Sequence, residues 1–81
     1  MDQMRRALQY LQRGDWEAAH EIVQEDPTLE GSWAHGIVHL LEGDTSNAAY
    51  WYRKAGRVLP DEVEIAAEIN ALKEHWERSE L

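Results

Sequence analysis

Apolar residues recur along this chain at helical spacing, in stretches closed by glycine or proline. Met4, Ala7, Leu8 and Leu11 share one stripe of a helix predicted over about residues 2–13. Gly14 ends it, and Asp15 caps a second helix whose Trp16, Ala19 and Val23 lie on one face. Pro27 stops that helix soon after Asp26. Thr28 or Ser32 opens a third, which runs to Glu42 before Gly43 breaks it. Asp44 or Ser46 caps a fourth that extends to about Arg57, its buried arc being Ala48, Trp51, Tyr52, Ala55, Val58 and Leu59. After Pro60, the D-x-x-E box of Asp61 and Glu64 begins a fifth. Its Ile65, Ile69, Leu72 and Trp76 form a single apolar face opposite a charged one, as suits a terminal cap.

The third helix is different, because it is apolar around most of its circumference. Trp33, Gly36, Ile37 and Leu40 make one stripe, and Ala34, Val38 and Leu41 carry the apolar surface round the cylinder. Such a helix is expected in the middle of a fold, covered on two sides. Its polar residues His35, His39 and Glu42 fall within an arc of about 60°, roughly opposite the Trp33 stripe.

The pattern also repeats. LQRGDWEAAHEIV from Leu11 aligns with LLEGDTSNAAYWY from Leu40, pairing Gly14 with Gly43, Asp15 with Asp44, Ala19 with Ala48 and Val23 with Tyr52. One helix earlier, Ala7 pairs with Gly36, two small residues that permit close helix approach. A repeated helical hairpin cannot bury both faces alone, so the two copies must stack. The fold class that follows is all-α: two stacked antiparallel helical hairpins, about 2–26 and 28–58, plus a C-terminal capping helix, about 61–79, forming one domain.

Gly36, Gly43, Ala48, Tyr52, Ala55 and Pro60 stand at the spacings of the small, aromatic and proline positions of the tetratricopeptide repeat, which the second unit therefore resembles. Gly14-Asp15-Trp16 followed by Ala19 looks like the same turn in the first unit. The likeness covers about residues 2–60 and implies a helical-repeat fold that works by binding protein. The first unit is about five residues short, Asp26 replaces its last alanine, and His35 and His39 stand where that family has leucine and tyrosine. The EGD…NA.YWY stretch is also similar to one in small helical proteins, a likeness that implies no function.

Composition sharpens the picture. The chain of 81 residues has four tryptophans, no phenylalanine and no cysteine, so neither disulfides nor thiolate metal sites contribute. No apolar run approaches membrane-spanning length and the amino terminus lacks a signal-peptide core, so a soluble, cytoplasmic protein with no membrane partner is expected. Sixteen acidic against eight basic residues give −8, which argues against nucleic acid as a partner. Much of the charge follows the helix macrodipole: Asp15, Glu17, Asp61 and Glu62 stand at helix starts, and Arg53, Lys54 and Arg57 at a helix end.

Chemistry has few candidates. No nucleophile elbow, phosphate loop or calcium loop is present, so no catalytic residue and no cofactor is expected. His35 and His39, four apart, read as packed imidazoles that need hydrogen-bond partners, with Glu42 available to His39. The alternative is a metal-binding or pH-sensing site built on His35, His39 and Glu42. A fourth ligand would have to come from another helix. His20 is the one plausible imidazole, but its angle groups it with Trp16 and Val23, facing the core. For binding, Tyr50 lies opposite the buried arc of its helix with Arg53, Lys54 and Arg57 near it, a contact patch for an acidic protein partner. Trp33, with Ile37 and Leu40, offers a groove or a homodimer seam if left uncovered. The expected function is thus a non-enzymatic protein–protein interaction module. Metal binding or pH sensing is the second reading, and an acidic inhibitor of a basic target the third.

Overall fold

The computed structural model describes residues 3–79, and these form five helices and no strand. They are α1 (Gln3–Gln12), α2 (Trp16–Val23), α3 (Leu29–Glu42), α4 (Thr45–Lys54) and α5 (Ile65–Ser79). α1 and α2 form one hairpin, and α3 and α4 the other. None of these helices is long and apolar enough to cross a membrane.

The two Gly-Asp turns share one geometry. Gly14 and Gly43 both take positive φ, at 76° and 89°, which a residue with a Cβ adopts only with strain. The aspartate after each then turns its carboxylate onto the new helix. Asp15 accepts from the Ala18 amide and Asp44 from the Asn47 amide, each at 3.2 Å. The sequence repeat is therefore also a repeat of backbone conformation. α3 starts on Thr28, whose hydroxyl accepts from the Gly31 amide at 2.9 Å while donating to Asp26 at 2.6 Å. Asp26 thus holds the cap of the next helix.

α3 is the axis of the fold. It touches each of the other four helices, and all ten residues from 31 to 40 are buried. Ten consecutive residues cover every direction around a helix. The expectation drawn from its apolar circumference therefore holds. α4 comes closest, since a Cβ built on Gly36 would lie 2.5 Å from the Tyr52 ring and 3.3 Å from the Ala48 carbonyl oxygen. Met4, Ala7, Leu8 and Leu11 of α1, Ala19 and Val23 of α2, and Ile69 and Leu72 of α5 complete the core.

α5 packs across α3 and α1. A side-chain bridge ties it to α4: Tyr52 Oη donates to Glu68 Oε1 at 2.6 Å, and Trp33 Nε1 reaches the same oxygen at 3.3 Å. Burial, then the neighbouring Glu68 carboxylate, holds the Tyr52 phenol firmly protonated, as its donor role requires.

Two boundaries differ from the sequence expectation. α4 ends at Lys54 rather than near Arg57, because Gly56 takes φ 74° and turns the chain away. Val58, placed in the buried arc by continuing that helix, is 90% exposed as a result. The fifth helix begins at Ile65, so Asp61 and Glu64 precede it and form no capping box within it. Pro60 keeps the backbone before it extended, and the chain takes four more residues to reach the first α5 turn.

Replacing Gly36 with alanine drives a methyl group into the Tyr52 ring and the α4 backbone. Gly36→Ala is expected to lower stability by about 1–3 kcal/mol in urea unfolding. An unchanged midpoint in Gly36→Ala would mean that α3 and α4 do not meet at this distance.

Candidate metal centre

α3 turns His35 and His39 away from the Trp33 stripe, and that side of α3 is covered by α2 and α4. Both imidazoles are buried, at 5% and 8% exposure. α2 crosses this side of α3 and brings a third ring, the half-buried His20. His20 Nε2 and His35 Nε2 face each other at 3.1 Å. One ligating atom from each of His20, His35 and His39 lies within 4.8 Å of the other two. The sequence reading grouped His20 with the core face of α2 and hence away from the pair. The grouping is right and the inference wrong, because the core that α2 faces is α3 itself.

Around this triad the rings are stacked. His35 lies flat against Trp51 of α4, centroids 3.8 Å apart and planes 10° off parallel, and His39 stacks on His35 at 4.9 Å. Trp51 is half-buried and serves the histidines as a wall, a role that helical periodicity alone does not reveal. Behind His39, Glu42 Oε1 engages Nδ1, which leaves Nε2 as the nitrogen available to an ion. The sequence reading offered Glu42 as a ligand beside His35 and His39. In the structure it sits instead behind His39, fixing tautomer and ring orientation, the place carboxylates take in many histidine metal sites. His39, Glu42 and Asp44 also form a second, more exposed group at the end of α3.

The protonation chemistry of the triad is restrictive. Two Nε2 atoms face to face accommodate one proton between them. His35 Nδ1 is buried and has no hydrogen-bond partner. If that nitrogen carried the hydrogen, a donor would be orphaned, so the tautomer with His35 Nε2–H donating to His20 is favoured. A second proton on His35 would occupy the unpartnered nitrogen. Burial, then the adjacent rings of His20 and His39, accordingly push His35 down to about 4.

The residues expected to bind a partner are scattered. Trp33 is 3% exposed, and Ile37 and Leu40 are buried with it, so the predicted groove or dimer seam is filled by this chain's own helices. Arg57, freed from α4 by the Gly56 turn, lies over the Trp33 ring at 3.5 Å. Tyr50 is 46% exposed, with Lys54 Nζ 5.8 Å from its ring centroid and Arg53 exposed on the same helix. No protein-family model, curated protein or solved structure matches this chain.

The depressed His35 pKa sets a pH dependence. The unfolded chain binds a proton near pH 6.5 that the folded chain takes up only near 4, so stability is complete above about 6.5 and falls between those values. In chelator-treated protein the slope from this residue reaches at most about 1.4 kcal/mol per pH unit. Urea unfolding between pH 7 and 4 should show it, and His35→Phe, which keeps a ring against Trp51, should flatten the profile. Identical slopes in the two proteins would mean His35 titrates normally.

Proposed function

We propose that this chain is a small metal-binding helical protein in which His20, His35 and His39 hold one divalent transition-metal ion. The reading rests on a single observation: two Nε2 atoms aimed at each other at 3.1 Å, with a third imidazole within 4.8 Å. Two nitrogens bound to one tetrahedral zinc lie about 3.3 Å apart, given bond lengths near 2.0–2.1 Å. The His20–His35 spacing is already close to that figure, and His39 closes the rest by a small ring movement. A cation would accept both facing lone pairs, which moves the His35 hydrogen to Nδ1; without an ion the two nitrogens share a single proton. Three imidazoles suit zinc, copper, nickel or cobalt, while magnesium and calcium seek oxygen.

The interaction-module reading retains narrower support, from exposed Tyr50 with Lys54 and Arg53 beside it. Trp33 and Arg57 are occupied with each other and add nothing to that patch.

Titration with zinc after chelator treatment tests the metal reading. One equivalent should bind, and an excess of about a hundredfold over Kd should stabilise the fold by about 2.7 kcal/mol, a rise in Tm on the order of 10–20 °C for a chain of this size. His20→Ala, at a half-buried position, should remove the effect without unfolding the protein. Glu42→Gln should weaken binding by about 10–100-fold. Equal shifts in wild type and His20→Ala would dismiss the triad as the site.

A further inference from the structure

A centre assembled from three neutral imidazoles has two consequences that the fold does not resolve internally. The first concerns coordination number. Zinc and cobalt(II) at such sites take at least four ligands, and among the described residues no fourth His, Asp or Glu offers a ligand atom within 4.8 Å of all three imidazoles. Glu42 is engaged with His39 Nδ1, and Asp44 caps α4 through the Asn47 amide. The second concerns charge. Neutral ligands leave the 2+ of the ion offset only by the Glu42 carboxylate behind His39, at a point where His35 and His39 are withdrawn from water, and the charge left over is costly there. Both needs are met by one small anion on the ion.

Resting on the metal reading above, we infer that the loaded centre keeps an exchangeable fourth position that takes a small monodentate anion, hydroxide included, in place of water. The exchange forms one metal–anion bond and releases one water, with no change of oxidation state. Access comes from the rim. The His20–His35 contact and the His39–Glu42 contact are both only partly buried, so the centre lies at the edge of the core. On the α4 side Trp51 lies flat on His35 at 3.8 Å.

Cobalt(II) reports each step separately, because its visible absorption depends on coordination number and on ligand identity. Adding cobalt(II) to chelator-treated wild-type protein should produce an intense four-coordinate visible band, and azide or thiocyanate should then shift that band saturably while the cobalt remains bound. A band that forms but is insensitive to azide overturns the open position and leaves the triad standing. The same measurement on Glu42→Gln identifies the cause. If azide shifts the variant but not the wild type, the Glu42 carboxylate has left His39 and filled the fourth site itself, which also overturns the inference. If no cobalt band forms in the wild type, the metal reading fails, and the anion site fails with it.

Discussion

The enclosure of α3 is the constraint on which the rest of the structure depends. A fourteen-residue helix touched by all four of its neighbours has no solvent side over most of its length, so whatever it carries must be satisfied inside the protein. Apolar residues meet that condition by packing. Gly36 meets it by letting the Tyr52 ring and the α4 backbone close in. His35 and His39 cannot meet it alone, and the neighbouring helices supply what they need: His20 from α2, Trp51 from α4, and Glu42 from the less buried end of α3 itself. The histidine cluster is thus a consequence of the same packing that stabilises the small core.

Two kinds of polar satisfaction hold the periphery to this axis. On one side of α3, Glu68 receives both Tyr52 and Trp33, so a single carboxylate fastens α5 to the α3–α4 hairpin. On the other side, three imidazoles meet and one nitrogen, His35 Nδ1, is left without a partner. The first arrangement is complete as it stands. The second leaves one buried nitrogen unmatched either way: without an ion Nδ1 is an acceptor with no donor, and an ion on Nε2 makes it a donor with no acceptor, so binding must outweigh that cost.

Much of the fold was legible because its signals are local. Gly14 and Gly43 need positive φ, Asp15 and Asp44 cap the helices that follow, and Met4, Ala7, Leu8 and Leu11 repeat at helical spacing; each depends on a few neighbouring residues. The apolar circumference of α3 even located the middle of the structure. What failed was also local in origin. The periodicity that carries α4 to about Arg57 passes through Gly56, whose turn displaces Arg57 and Val58 from where that periodicity puts them. The site was half legible. His35, His39 and Glu42 share an arc that any helical wheel shows, but His20 and Trp51 join them through the crossing of α2 and α4 over α3, and no spacing along the chain encodes which helix covers which side. The one available hint was that His20 faces inward on α2 while the histidine side of α3 also needs cover.

The central claim, that three imidazoles from two helices converge on one point able to hold a metal ion, is tested most directly by X-ray absorption at the zinc edge on the zinc-loaded protein. The account predicts a four-coordinate shell at about 2.0 Å whose multiple scattering requires three imidazole rings. A shell of oxygen atoms with one imidazole or none would contradict it.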